Sequence, residues 1–398
     1  MKILYFHQHF TTPQGSGGTR SYEFSRALIR AGHAVTLVCG SNALAVSGLK
    51  GKFQSGYRTG VVDGINIIEF ELPYSNSQGY LKRSILFMKY SIRGVVISMK
   101  LNYDIVFGTS TPLTASIPGI ISKLLRNKRF IFEVRDLWPE LPKAMGVISN
   151  PVILMAMDVL ESISYKYSEK CIALAPGIAQ GIKKKYPFKK VAIIPNGSDI
   201  FIPQKSSQKA SNKFVTVFTG AHGQANGLNA VLDVAYLLKQ RGIVDVEFQF
   251  IGDGKMKPSL IKRAVNEELD NCIFLDPMPK YALFQHLHDH ADIGLMVLEN
   301  IPAFYDGTSP NKFFDYISLG LPVINNYPGW LANMIETHNC GIAVPPGESN
   351  TFAEAIIQMK KDPSENKIMS HNGVELARSK FDRTLLARDF VNFLVQEC

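Results

Sequence analysis

Short apolar runs alternate with amphipathic stretches along almost the whole chain. Lys2–Phe6, Ala34–Cys39, Gly64–Phe70, Asp104–Gly108, Cys171–Leu174, Phe214–Thr219, Glu247–Ile251 and Ile293–Leu298 have the length and composition of strands largely buried in a sheet. Between them, apolar residues recurring every three or four positions predict helices over Arg20–Ala31, Pro151–Glu169, Leu228–Leu238, Trp330–Thr337 and Thr351–Lys360. The first strand runs into the polar loop Thr12–Gly18, a helix and a second strand, which is a βαβ opening. The same order restarts at Phe214, with the glycine-bearing loop Gly220–Gly227. Two such openings in one chain predict an α/β fold of two doubly wound, Rossmann-like domains facing across a cleft.

The polar run Gln204–Lys213 is the expected linker. The domains are expected at 1–202 and 203–380, with a terminal segment 381–398. That last segment carries Leu385, Leu386, Phe390, Phe393 and Leu394 on one side of a helix from Phe381 to Glu397.

Composition narrows the class. The 398 residues are 46% apolar and 19% charged, enough for two buried cores. The start Met1–His7 turns polar too soon for a secretory signal, and no uninterrupted apolar run is long enough to cross a bilayer, so a cytoplasmic protein is expected. Cys39, Cys171, Cys272, Cys340 and Cys398 are scattered and lack a Cys-x-x-Cys pair, which speaks against a disulfide framework and a zinc site. The net charge of +9 points to an anionic partner: a nucleotide, a nucleic acid or a membrane surface. Across 81–100, Lys82, Arg83, Lys89, Arg93 and Lys100 are interleaved with apolar residues. That pattern suits peripheral contact with anionic lipid or a core-facing helix with a solvated basic side.

The candidate chemistry centres on 307–324. Ser309 is placed to cap a helix, Pro310 suits its first turn, and Gly320 with Pro322 ends it before the strand Val323-Ile324. Lys312 then falls in the first turn, where the helix dipole is already positive. An anion held by Lys312 and the amides near Thr308, Ser309 and Asn311 removes the conflict, whereas a solvated lysine on a capped helix is the plain alternative. Asp315, one turn on, can accept from a ribose diol. Phosphate with ribose means a nucleotide. Gly17 and Gly18 allow close backbone approach to a phosphate, with Arg20 nearby. Their spacing is not the dinucleotide fingerprint, and Cys39–Asn42 offers no acid for an adenosine ribose, which counts against a nicotinamide enzyme. Arg135 and Asp136 stand at the C-terminal end of the strand from Arg129, where open α/β sheets place their sites; the alternative is an ion pair pinning the loop. His286, His288 and His290 lack a completing ligand set, so no metal is expected.

The stretch Ser309-Pro310-Asn311-Lys312, with Arg135-Asp136-Leu137-Trp138-Pro139, resembles the retaining GT-B glycosyltransferases of family four, particularly bacterial O-antigen and capsule enzymes and transferases of L-fucosamine-type sugars. The resemblance spans essentially the whole chain. It implies that Asp315, as second acid of the family's E-x7-E pattern, holds the donor ribose. The first acid falls on Gly307, for which Asp306 or Glu299 are the available substitutes. It also implies that Pro277, Met278 and Pro279 contact the base through backbone, that Gly17 and Gly18 face the donor phosphates and the acceptor, and that the last helix packs back on the N-terminal domain. Family members commonly carry Arg and Lys where this chain has Ala221 and Asn226, so the charge facing the diphosphate is left to Lys312, Arg20 or Arg135, with His222 and the loop of Gly220 and Asn226 assisting.

The implied activity is metal-independent, retaining transfer from a UDP-sugar, with UDP-N-acetyl-L-fucosamine as the suggested donor, to a lipid-linked glycan. No cofactor or nucleic acid is expected, and the expected location is cytoplasmic, with peripheral contact at the cytoplasmic face of the inner membrane through 81–100 left open. In this reading Arg135, Asp136 and Lys312 serve the chemistry. Two rival functions share the features: a UDP-sugar 2-epimerase, and a catalytically silent nucleotide-sugar-binding protein.

Overall fold

The computed structural model describes residues 1–42, 46–75, 78–200 and 213–396. The chain divides into two compact units, the first formed by Met1–Asn196, Asp306–Ser309 and Thr384–Cys398, the second by Gly197–Tyr305 and Pro310–Arg383. The expected boundary at 202/203 and the linker residues 204–212 lie outside the described residues, as does Cys398.

In the first unit the strands are β1 (Lys2–Phe6), β2 (Ala34–Asn42), β3 (Tyr57–Val62), β4 (Ile65–Tyr74), β5 (Ile105–Thr109), β6 (Arg129–Val134), β7 (Lys170–Ala173) and β8 (Val191–Ile193). They form one sheet in the order β3-β4-β2-β1-β5-β6-β7-β8, parallel except for the β3–β4 pair. The central strands are apolar on both sides because helices cover both faces. The helices of this unit are α1 (Arg20–Arg30), α2 (Tyr80–Lys100), α3 (Ile117–Arg126), α4 (Glu140–Ala144), α5 (Pro151–Tyr167) and α6 (Pro176–Lys185). Asn150 caps α5, its side chain accepting from the amides of Val152 and Ile153, with Pro151 at the first position.

The second unit contains β9 (Phe214–Thr219), α7 (Asn229–Gln240), β10 (Val246–Ile251), α8 (Lys257–Asn266), β11 (Cys272–Leu275), α9 (Lys280–His290), β12 (Ile293–Met296), α10 (Asn311–Ser318), β13 (Val323–Asn325), α11 (Trp330–Thr337), β14 (Gly341–Ala343), α12 (Ser349–Lys361) and α13 (Pro363–Leu376). Its all-parallel sheet runs β11-β10-β9-β12-β13-β14. Strand order reverses beside β9, the position at which doubly wound sheets open a crevice beyond their C-terminal ends.

The last helix, α14 (Arg383–Val395), starts two residues later than the sequence suggests. Phe381 stays in the second unit, its ring 4.9 Å from that of Phe314. From Thr384 on, the chain belongs to the first unit. There Phe390 is fully buried, stacked on Phe24 at 4.1 Å and edge-on to Phe107 at 5.2 Å. The C-terminal helix is therefore part of the N-terminal core, and Phe390→Ala is expected to cost about 3–5 kcal/mol.

Candidate active site

Helix α10 is fixed by its apolar side. Phe313, Phe314, Tyr316 and Ile317 are buried, and the Tyr316 hydroxyl accepts the amide hydrogen of Thr219 at 2.9 Å. This fastens the helix over the C-terminal end of β9 and brings Lys312 to the loop Gly220–Gly227. The Lys312 ammonium sits 3.9 Å above the centroid of the Phe218 ring and donates to Asn226 Oδ1 at 2.9 Å. Asn226 in turn donates from Nδ2 to the carbonyl of Ala221 at 2.8 Å, which fixes which end of the amide meets the lysine. Gly220 has φ +120°, and a Cβ there would lie 3.6 Å from Lys312 Cε. Behind it, Gly252 at φ +149° has no room for a side chain, because its Cβ would collide with the carbonyl of Gly220.

Among the described residues no carboxylate pairs with Lys312. Burial pushes its pKa from 10.5 down to about 7. The amide oxygen of Asn226 and the face of Phe218 stabilise the cation, but neither carries the full negative charge that would offset lost hydration. The first turn of α10 adds to the demand for an anion. Pro310 occupies the N-cap position with extended ψ of 128°, and no side chain caps the helix. The cap expected from Ser309 is absent because its Oγ accepts from the amide of Asn196 at 2.9 Å and its carbonyl accepts from Asn196 Nδ2 at 2.6 Å. Amides and an underpaired ammonium thus meet at one end of an eight-residue helix.

His222 is beside this loop but supplies no charge. Its ring is fully buried among Phe218, Phe250 and Phe274, and burial lowers its pKa to about 4, assisted by Lys257. At neutral pH it is an uncharged part of the aromatic floor, so it brings no cation to the loop, and neither ring nitrogen has a hydrogen-bond partner among the described residues.

Asp315, on the next turn of α10, accepts from Ser198 Oγ at 2.8 Å and from Lys280 Nζ at 3.4 Å. Lys280 is the first residue of α9, immediately after the loop residues Pro277, Met278 and Pro279. The sequence reading omits it, although a lysine at the start of a helix is the same electrostatic signal that singles out Lys312. Of the two substitutes for the acid missing at Gly307, Glu299 lies in the unit of Lys312. Its amide donates to the carbonyl of Ala225 at 3.0 Å, against the loop that carries Asn226. Asp306 lies in the first unit, its carbonyl accepting from the amide of Gly177 at 2.9 Å.

The first unit gathers a second polar cluster at the C-terminal ends of the adjacent strands β1, β5 and β6. Asp136 accepts from Thr111 Oγ1 at 3.0 Å, and burial raises its pKa while Thr111 and Arg135 oppose that rise. Arg135 Nη1 lies 3.4 Å from His7 Nε2, and His7 Nδ1 lies 2.6 Å from Ser21 Oγ. Burial and the Arg135 charge hold His7 neutral. Next to it Gln8 is 1% exposed, with neither end of its amide hydrogen-bonded. Such a side chain is costly unless something arrives to pair with it. His7 and Gln8 end an apolar strand, and that position is the sequence signal for them.

Arg20 does not have the expected role. Its Nε and Nη2 bind Glu133 Oε2 at 2.9 and 2.8 Å, and Nη1 and Nη2 donate to the carbonyls of Pro195 and Ile194. The guanidinium is buried and committed to these oxygens, leaving it unsuited to a phosphate. Gly17 and Gly18 are exposed in the loop before it. Thus Gly17, Gly18, Arg20, Arg135, Asp136, Thr308 and Ser309 belong to the first unit, and Gly220, His222, Asn226, Pro277, Met278, Pro279, Asn311, Lys312 and Asp315 to the second. Among the described residues no three His, Cys, Asp or Glu side chains gather as a metal site, and no helix is long and apolar enough to cross a membrane.

A family model described as Glycosyltransferase Family 4 matches residues 17–200, and one described as Glycosyl transferases group 1 matches residues 213–362. The amylovoran biosynthesis glycosyltransferase AmsK of Erwinia amylovora is 22% identical over 143 residues, 36% of this chain. The match spans only 35% of that relative's length. Among solved structures, sucrose-phosphate synthase from Thermosynechococcus elongatus aligns with a TM-score of 0.74 at 14% identity, covering 98% of both chains. Anabaena Alr3699/HepE, solved in complex with UDP and glucose, aligns with a TM-score of 0.69 at 15% identity, covering 99% of both. The chain thus has the α/β GT-B fold, and its two parts match the models of Glycosyltransferase Family 4 over 17–200 and of Glycosyl transferases group 1 over 213–362.

Proposed function

We propose that the protein transfers a glycosyl group from a UDP-sugar to a hydroxyl of a lipid-linked glycan, with retention at the anomeric carbon and without a metal ion, in bacterial surface-polysaccharide synthesis. The observation that carries the donor half is Lys312: a half-buried ammonium without a carboxylate partner among the described residues, at the uncapped start of α10. A diphosphate supplies the missing charge to both. Asp315 takes the ribose diol in exchange for its bonds to Ser198 and Lys280, and the loop Pro277–Pro279 lines the base. Glu299 takes the place left by Gly307 and faces the transferred sugar.

In the reaction the bond between the anomeric carbon and the β-phosphate oxygen breaks, its electron pair leaving with UDP. Lys312 and the amides of Asn311 and Lys312 stabilise the growing negative charge. The acceptor oxygen bonds to the same face of the sugar, and its proton passes to the departing phosphate oxygen. Arg135, Asp136, His7 and Gln8 bind and orient the acceptor. The similarity to an amylovoran biosynthesis enzyme favours an exopolysaccharide or O-antigen setting, and UDP-N-acetyl-L-fucosamine is the donor put forward.

Calorimetric titration with a panel of nucleotide sugars, followed by assay of UDP release with and without added lipid-linked glycan, tests this. Release that requires the acceptor and persists in EDTA supports transfer. UDP release without acceptor, or donor binding without turnover on any acceptor, contradicts it and favours an epimerase or a silent binding protein respectively.

A further inference from the structure

Helix α2 turns an apolar row outward. Leu81, Ile85, Met88, Ile92, Val96 and Met99 succeed one another by three or four residues, and each is exposed, from 41% at Met99 to 77% at Leu81. Residues at that spacing share one helical face, and the row is about 27 Å long. The opposite face is the one that packs: Leu86, Tyr90, Gly94 and Ser98 are buried, and the Tyr90 hydroxyl donates to the carbonyl of Val38 at 2.6 Å. Exposed Lys82, Lys89 and Lys100 each follow a member of the row by one position, so they line one edge of it. Neither α2 nor α3 contains an Asp or Glu.

Helix α3 packs beside α2 and α5 beside α3, and α5 exposes Val152, Met155 and Val159 at 65%, 63% and 50%. The end of α6 is joined to α5 by Lys185, whose Nζ lies 2.7 Å from Asp158 and 2.5 Å from Glu161. Those are the acids of α5, and both are occupied. Three residues on, Phe188 is wholly exposed between Lys183, Lys184, Lys189 and Lys190.

We propose that the α2 row lies on a bilayer bearing anionic lipid, inserted at the level of the headgroups, with Lys82, Lys89 and Lys100 on lipid phosphates. A shallow apolar row edged by cations matches the layered chemistry of such an interface. A second copy of the chain is a poorer occupant, because it would set one basic edge against another. The surface belongs to the first unit and the Lys312 site to the second, so each can be tested without the other.

Co-sedimentation with phosphatidylcholine vesicles, with and without phosphatidylglycerol, is the test. The full chain is expected to bind only the anionic vesicles, and less at high salt. Ile85→Ser with Ile92→Ser, and separately Lys82→Glu with Lys89→Glu, each lower partitioning by about tenfold or more. All four side chains are already outside the core, and unchanged UDP affinity checks that the variants remain folded. Absence of binding to anionic vesicles overturns the proposal, as does binding that both variants retain. Dimers in sedimentation equilibrium that the Ile85/Ile92 variant abolishes also overturn it, assigning the face to a second copy.

Discussion

Lys312 Nζ and Asn226 Oδ1 are 2.9 Å apart, and among the described residues this neutral amide stands where a buried ammonium ordinarily has a carboxylate. The pair stabilises the lysine too weakly to restore its normal basicity, so its proton is available to respond to a ligand.

The first consequence is a pH dependence. The folded pKa is about 7 against 10.5 for a free lysine, so between those values the unfolded chain carries the proton and the folded apoprotein does not. The Lys312 contribution to stability therefore increases as pH rises from about 7 towards 10.5, and Lys312→Met removes that increase. A bound diphosphate favours the charged form. UDP binding should take up a proton above pH 7 and weaken by up to about tenfold per pH unit there. Calorimetry in buffers of different ionisation enthalpy counts the proton. A pH-independent affinity from pH 7 to 9 excludes this titration.

Asn226→Asp supplies Lys312 with an internal anion. The apoprotein should become more stable, and UDP affinity should fall by about tenfold or more, because the aspartate both occupies the lysine and repels the diphosphate. Asn226→Ala loosens the lysine without a competing charge and should cost affinity only about threefold. Thermal melts paired with titrations separate the two. A stabilised Asp variant that binds UDP as tightly as wild type contradicts the assignment.

Asp315 is expected to read the ribose. Wild type should prefer UDP over 2′-deoxy-UDP by about tenfold, and Asp315→Asn should largely erase that preference. Equal discrimination by the two proteins places the ribose elsewhere and leaves Asp315 as the structural partner of Ser198 and Lys280.

Arg20 makes the opposite kind of prediction. Arg20→Ala leaves Glu133 charged and buried, with Thr109 still donating to Oε1 at 2.7 Å, and should destabilise the protein by about 3–5 kcal/mol. UDP affinity of the folded fraction should not change. Lost affinity in a stable variant returns Arg20 to the donor site.

These assignments separate what a sequence carries locally from what it does not. Strands β1 and β9 begin and end where their apolar runs do, since a strand buried on both faces needs no partner to be recognised. The edge strand β3, with Gly60 and half its side chains exposed, has no such signature. Helix α6 is also hidden, because Gly177 and Gly181 lower its helix propensity. Gly177 is required by a distant atom, since a Cβ there would lie 2.5 Å from the carbonyl oxygen of Asp306, whereas one at Gly181 would meet the movable side chain of Leu137. The site divides in the same way. Lys312 stands out because a cation at a helix start conflicts with the dipole of its own helix. The partners of Ser309 and Arg20 lie more than a hundred residues away, at Asn196 and Glu133, and chain spacing cannot reveal that they are taken.

Titration of UDP into wild type and Lys312→Ala, with the stability of both measured alongside, tests the anion site most directly. The account predicts that the variant folds as stably as wild type or more so, and binds UDP about 10- to 100-fold more weakly, the worth of a charge-assisted hydrogen bond. Equal affinity in the two proteins contradicts it.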